Sequence, residues 1–246
     1  MILARLSRAI RQQNWFAVVL EFVIVIAGVV IGFQITAWNA ARAETAREAA
    51  YLQQLDVELT AIVATFERRR EEADAYFNWV AIFLEGAETG DPDLAQEGSW
   101  GLNAITEVVR ANFQPAVLTE LISTGELRII RDRELRNALA SIPKLQDESE
   151  SRMEQMAMRL SPVAFEISQR FEAQLENIAD IENPNYTTQT LQFDFDAVAQ
   201  DEAFLRLMNY AALQNRFQAS HLLSRRNELE VIRDQVRAEI SERGFE

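Results

Sequence analysis

The amino-acid sequence predicts an all-α protein in which an N-terminal transmembrane helix continues into a long amphipathic helix, followed by an elongated antiparallel helical bundle. Three observations lead to this fold class. Residues 16–38 form an apolar run with a single charged residue, Glu21. Apolar residues then recur at intervals of three and four, the period of one helix face. The 8 Gly and 5 Pro of the chain are too few for a loop-rich β protein.

Composition also limits the chemistry. The chain has no Cys and one His, His221, which excludes disulfide frameworks, zinc fingers and thiol nucleophiles. The net charge of −14 opposes binding to nucleic-acid phosphates. His221 is interpreted as a packing or surface residue. We therefore assign no catalytic, cofactor-binding or metal-binding residues, and we expect neither an enzyme nor a nucleic-acid partner.

The first predicted element is the transmembrane helix over residues 16–38, preceded by a short basic segment at 1–15. The helix is about 35 Å long, enough to cross a hydrocarbon core of about 30 Å. Trp15 and Trp38 lie at its ends, where interfacial aromatic anchors occur. The alternative is a cleaved signal peptide with its site at residues 41–43. Because the apolar run exceeds the roughly 7–15 residues of a signal peptide, a retained anchor is favoured.

Charges around the span predict its orientation. Arg5, Arg8 and Arg11 precede it, whereas Arg42 and Arg47 follow it. Positively charged flanks stay in the cytoplasm. We therefore expect a single-pass protein of the bacterial inner membrane with a cytoplasmic N-terminus and the bulk of the chain in the periplasm.

One face of the predicted span is chemically distinct. Glu21, Gly28, Gly32 and Asn39 are spaced by 7, 4 and 7 residues, which places them on one side of a helix. The pattern Gly-x-x-x-Gly allows two membrane helices to approach closely. Glu21 has three open interpretations: an interfacial carboxylate that reaches water, an acid that pairs with a partner subunit, or an ion- or proton-binding group.

Two segments carry a resemblance to a known family. Leu20–Gly28, Ile31–Ile35 and Trp38–Asn39 resemble the signature of an uncharacterised family of bacterial single-span membrane proteins, in which a Glu-led apolar run ends in Ile-Gly-x-x-x-x-x-Trp-Asn. The segment Leu118–Asp132 resembles that family's central Leu-x-Ser-x-Gly-x-Leu-x-x-Ile motif.

This resemblance implies a membrane-anchored helical protein and carries over no catalytic residues. The sequence departs from the family pattern at Thr36, Ala37 and Ala40.

The second predicted element is an amphipathic, coiled-coil-like helix over residues 39–85, continuous with the span. Its apolar stripe needs a partner, because an isolated helix cannot bury it. The residues of this stripe that we assign to the packing seam are Leu52, Leu55, Leu59, Ile62 and Phe66.

Residues 86–143 are predicted to form a loop and short-helix subdomain. Glycines and Asp91-Pro92 indicate a loop over 86–99, and apolar spacing indicates a helix over 100–113. Gly125 is expected to end a following helix in the left-handed conformation, and Asp132 to cap the next one.

Residues 144–246 are predicted to form two long helices joined by a loop over 182–200. The first is expected over about 144–181, kinked or split by Pro162. Within the loop, residues 191–195 alternate in polarity. We interpret them as an extended lid on the helices because no partner strand is visible. The last helix is expected from Glu202 to about Arg243.

The apolar stripe of the last helix turns polar at Asn215 and Gln218. Two accounts remain open: these residues fix register between helices, as buried polar positions do in coiled coils, or the packing face shifts at that point.

The sequence predicts a membrane-anchored structural or interaction role rather than a catalytic one. The first hypothesis is a membrane-anchored interaction or scaffold protein, a homo-oligomer or an accessory subunit of a larger membrane complex. In it the span face and the seam drive association. The alternative is a sensing or signalling module that transmits a partner-induced change through the continuous helix. Sensing would need an output domain, which the residues before the span are too few to form, so the first hypothesis is favoured.

Overall fold

The computed structural model describes residues 15–104, 107–175 and 189–245. The basic segment predicted before Trp15 lies outside this range. The chain divides into two compact units, Met1–Tyr51 and Leu52–Glu246. This division falls inside a helix, whereas the sequence placed the nearest boundaries at residues 38 and 85.

The all-α fold class is confirmed. The described elements are α1 (Trp15–Thr89), α2 (Pro92–Gly98), α3 (Trp100–Ala104), α4 (Ala116–Ser123), a 3-10 helix (Glu126–Ile129), α5 (Arg133–Ser168), β1 (Glu172–Leu175), β2 (Gln189–Gln192), α6 (Phe195–Gln200) and α7 (Glu202–Arg243). The predicted continuity of the span with the amphipathic helix is confirmed, because both lie in α1.

In the second unit, α7 runs antiparallel to the Leu52–Thr89 part of α1. The side-chain amide of Gln53 donates to the carbonyl of Phe245 at 2.6 Å. Ion pairs continue along the two helices with opposite numbering. They are Asp56–Arg237 at 2.6 Å, Glu67–Arg226 at 3.5 Å and Asp74–Arg216 at 2.9 Å.

Phe83 lies at the centre of the core at the far end of this pair. Its ring makes edge contacts with Phe171, Phe193 and Phe204 at centroid distances of 6.3, 5.7 and 6.1 Å. Phe83 and Phe204 are fully buried. Edge-to-face aromatic pairs add to the stabilisation from burial alone.

The loop predicted over residues 86–99 is wrong, because most of it is helical. Helix α1 continues to Thr89, and α2 follows with Asp91 as its N-cap, accepting from two backbone N–H groups. Two glycines in this stretch serve close packing. A methyl group on Gly86 would lie 2.4 Å from the backbone N of Ala95, and one on Gly98 would lie 2.2 Å from that of Phe83. These two glycines therefore allow α1 and α2 to pack closely and do not mark a loop.

The helix predicted over residues 100–113 is also wrong beyond its first turn. Helix α3 covers only Trp100–Ala104, and residues 107–115 are non-helical. Val109 and Phe113 are nevertheless buried. The two downstream signals are confirmed: Gly125 is left-handed with φ 72°, and Asp132 caps α5 through the N–H of Leu135 at 2.6 Å.

Helix α5 differs in its limits from the helix predicted over residues 144–181. It begins at Arg133, ends at Ser168 and contains both Pro143 and Pro162. Pro162 does not split it, because Leu160 and Val163 on either side are buried and hold the segment in place. Burial offsets the backbone hydrogen bond that proline removes.

A small antiparallel sheet replaces the lid predicted over residues 191–195. Strands β1 and β2 pair with Glu172 opposite Gln192 and Leu175 opposite Gln189. The partner strand, Glu172–Leu175, lies in the stretch 144–181, whose spacing predicts a helix. Residues 195–200 of the predicted loop form α6. Helix α7 has the predicted limits, with Asp201 as N-cap and Gly244 left-handed at its end.

Candidate interaction surfaces

The first surface is the apolar segment Val19–Trp38 of α1. Its large apolar side chains are 45–73% exposed. The most apolar window of α1 has a mean hydropathy of 2.3 and is not buried at all. Among the described residues, this is the one helix long and apolar enough to span a membrane.

The four residues of the predicted packing face, Glu21, Gly28, Gly32 and Asn39, all lie on the exposed part of α1. A methyl group on either glycine would meet no atom beyond the neighbouring backbone of its own helix within 4 Å. The hydroxyl of Thr36 donates to the carbonyl of Gly32 at 3.0 Å, which satisfies this polar side chain within the helix. Packing of this face against another helix stays a prediction.

The predicted aromatic anchors lie at or near the ends of the apolar segment. Trp38 is exposed, and the guanidinium of Arg42 lies 5.7 Å from its ring centroid. This cation–π geometry keeps a polar group beside an apolar ring. Trp15 is the first residue of α1, and its side chain lies outside the described side chains.

The predicted seam is a different kind of surface. Leu52, Leu55, Leu59, Ile62 and Phe66 are all buried within the second unit, and the ring of Phe66 contacts that of Phe113 at 5.5 Å. The chain covers this stripe with its own residues. The seam residues therefore pack in the core of the second unit. A role for this seam in association with another chain stays a prediction.

A groove between α5 and α7 forms the second exposed surface, which the sequence analysis did not identify. Its volume is about 880 Å³. The residues that line it are Asp147, Glu148, Ser151, Arg152, Gln155, Met156, Arg159, Gln214, Phe217, Ser220, His221, Ser224 and Arg225. Phe217 is 55% exposed and lies off the apolar stripe that spacing had assigned to the last helix.

Only some of the charged side chains in this groove form ion pairs. Glu148 pairs with Arg225 at 3.3 Å and with Lys144 at 3.7 Å, and Arg225 also pairs with Glu228 at 2.8 Å. In the part of the chain that the structure describes, Arg152 and Arg159 have no hydrogen bond or ion pair. A spacing of seven residues, visible in the sequence, places these two arginines on one face of α5.

His221 lies in the groove, where Nε2 is 3.2 Å from Oγ of Ser149. Burial, with the positive charges of Arg152 and Arg225, lowers the pKa of His221 to about 4. The imidazole is therefore uncharged at neutral pH. Within the described ranges no acid bonds its other nitrogen, as a catalytic triad requires, and no metal-binding cluster of three or more residues occurs.

The central motif is held by an acid from α1. The carboxylate of Glu58 accepts from the backbone N–H of Val117 at 3.0 Å and of Leu118 at 3.3 Å. These N–H groups have no partner within α4, and a carboxylate at a helix N-terminus is favourable. The segment is thus fixed as a structural corner by a contact between residues distant in sequence.

Asn215 and Gln218 are fully buried and bonded to each other at 2.9 Å. Gln218 also accepts from the backbone N–H of Val109 at 2.6 Å. Gln218 therefore holds the non-helical segment at 107–109, and Asn215 bonds Gln218 on the same helix. Among the described residues neither side chain bonds a second helix, so the account in which they fix register between helices is not supported.

Comparison of the chain with models of protein families, with curated proteins and with solved structures found no match. The resemblance of Leu20–Asn39 and Leu118–Asp132 to a family of single-span proteins stays a prediction from the residues.

Proposed function

We propose that the protein is a single-pass, membrane-anchored helical interaction protein without catalytic activity. It associates with itself or with a larger membrane complex as an accessory subunit. Its two partners are the lipid bilayer and another protein chain.

The observation that carries this proposal is that every residue of the Val19–Trp38 segment is exposed. Leaving a large apolar side chain in water costs about 1.5–3 kcal/mol relative to burial. An apolar surface that extends over several turns on all sides of a helix exceeds the patches that soluble monomers expose. A bilayer removes this cost, because its hydrocarbon core solvates every face of the helix.

The course of α1 supports a retained anchor. The A-x-A-like site at residues 41–43 lies inside the helix. A protease binds its substrate as an extended chain, so this site would have to unfold before cleavage.

The charges support an N-terminus in the cytoplasm and a body on the other side of the bacterial inner membrane. Three arginines precede the span within a few residues, and two follow it. This excess is the signal of the positive-inside rule.

The exposed glycine face supports association. Open space around Gly28 and Gly32 allows a second helix to approach closely, which strengthens van der Waals packing in lipid. In this arrangement Glu21, on the same face, contacts the partner helix.

Two measurements test the proposal. First, the native full-length protein should stay in the membrane pellet after alkaline carbonate extraction. Second, its complex in mild detergent should exceed the monomer mass, and a Gly28→Ile, Gly32→Ile double variant should reduce that mass.

Ala37→Ile is the matched control for the second measurement, because residue 37 lies on the opposite side of the helix from Gly28. Release by carbonate, or a monomer mass for the native protein, would overturn the proposal. An equal response to both changes would remove the role of the glycine face alone.

A further inference from the structure

We infer that the groove between α5 and α7 binds an amphipathic helix of a partner protein, whose carboxylates, seven residues apart, pair with Arg152 and Arg159. This inference rests on the proposed interaction function and names the surface and the chemistry of its partner.

The dimensions of the groove suit a helix. Its lining runs from Asp147 to Arg159 on α5 and from Gln214 to Arg225 on α7. At 1.5 Å per residue, the two walls are about 18 and 17 Å long. A helix of about twelve residues has the same length.

Two of the side chains that line the groove are apolar. Met156 is largely buried there, and the ring of Phe217 is more than half exposed. His221 adds an uncharged ring at neutral pH. Apolar side chains of an amphipathic helix, at spacings of three and four, contact Phe217 and the neighbouring lining from above.

The rim of the groove selects acidic groups. The chain carries 38 acidic and 24 basic residues, yet the described residues provide no bonded carboxylate for Arg152 or Arg159. Of the two acids that line the groove, Glu148 is already paired with Arg225 and Lys144, and Asp147 is bonded to neither arginine. The two arginines are about 10.5 Å apart along the helix. They match carboxylates two turns apart on an aligned helix, and such charge-assisted bonds are strong and directional.

The occupant is a different protein rather than a second copy. A second copy would bring a net charge of −14 against an equal charge, which opposes association. A heterologous partner needs only two local carboxylates.

Site-specific photo-cross-linking tests the inference in cells that naturally make the protein. A photoreactive residue replaces Phe217 in the full-length chain. The control replaces Val231, which lies on the same helix and is 58% exposed, close to the 55% of Phe217. We expect only the Phe217 position to cross-link one segment of another protein. Sequencing of that peptide should show two acids seven residues apart with apolar residues between them.

Charge reversal then tests the rim. The double change Arg152→Glu, Arg159→Glu should reduce the cross-link at least tenfold, and changing the two partner acids to Lys should restore it. Arg128→Glu, on an exposed residue outside the groove, should leave it unchanged. Equal melting temperatures of the variants by circular dichroism show that the fold is intact.

Three results would overturn the inference: a cross-link to lipid or to a second copy, no cross-link above the Val231 control, or one insensitive to the reversal. These results differ from failure of the proposed function. If the reversed variant stays in the membrane within a complex of unchanged mass, the groove assignment fails and the anchored-protein proposal stands.

Discussion

The two parts of α1 carry apolar side chains in different ways. From Val19 to Trp38 they occupy all sides of the helix and are exposed, whereas from Leu52 to Phe83 one stripe is buried among charged residues. The helical period is the same in both. The two parts differ in the surroundings that suit them. A helix that is apolar on all sides suits a fully apolar environment, whereas a helix with one apolar stripe suits a surface between core and water.

The largest expected effect comes from charging the exposed part. The double change Ile24→Arg, Ile31→Arg should remove the protein from membranes, because each arginine near the centre of a span costs about 2.5–3.5 kcal/mol. Carbonate extraction followed by immunoblotting measures this. Val57→Arg, at an exposed position in the other part of α1, is the control and should stay in the pellet. Membrane retention of the double variant would contradict the assignment of the exposed part of α1 to the membrane.

Truncating one phenylalanine in each part gives the next largest difference. Phe83→Ala should destabilise the body by about 3–5 kcal/mol, because it removes a fully buried ring and leaves a cavity. Phe33→Ala removes a ring that is 73% exposed and should leave the body unchanged. Urea unfolding of the full-length proteins in detergent, followed by tryptophan fluorescence, compares the two. Equal urea midpoints for the two variants would show that the buried and the exposed phenylalanine contribute equally to the stability of the body.

Glycine gives a third comparison. Gly98→Ala should cost about 1–3 kcal/mol, because the new methyl group would fall 2.2 Å from the backbone N of Phe83. Gly28→Ala meets no atom within 4 Å and should not lower the stability of the body. The same unfolding assay measures both. A stable Gly98→Ala variant would mean that α2 can move away from α1.

The smallest expected effect concerns pH and His221. Its pKa is about 4 in the folded protein, below the 6.5 of an unfolded histidine, so the unfolded state binds more protons between these values. The contribution of His221 is thus complete above pH 6.5 and is lost as pH falls towards 4. We expect the wild type to lose about 1 kcal/mol more stability than His221→Gln between pH 7 and pH 5, after allowance for partial exposure. Equal pH dependence would contradict the depressed pKa.

Local signals predicted much of the fold. The limits of α7, the cap at Asp132 and the left-handed turn at Gly125 all follow from residues within one or two turns of each other. Such features depend on backbone groups that the neighbouring side chains satisfy. The continuity of α1 could also be predicted, because the spacing of its apolar residues is a local feature of the sequence.

Features that depend on distant contacts could not be predicted. The pairing of β1 with β2 needs a register that neither strand specifies alone. The role of Glu58 as a cap for α4 depends on a contact across 59 residues. The groove is visible only when α5 and α7 lie side by side, although the spacing of Arg152 and Arg159 and the position of Phe217 off the predicted stripe were available as signals.

The antiparallel pairing of α1 with α7 also has a consequence for biosynthesis. Asp56 and its partner Arg237 are 181 residues apart in the chain. At about 5–20 residues per second, a ribosome needs roughly 10–40 s to make the intervening segment. During that interval the apolar stripe of α1 from Leu52 onwards has been made and α7 has not. The contacts between α1 and α7 therefore form only when synthesis of the chain is nearly complete.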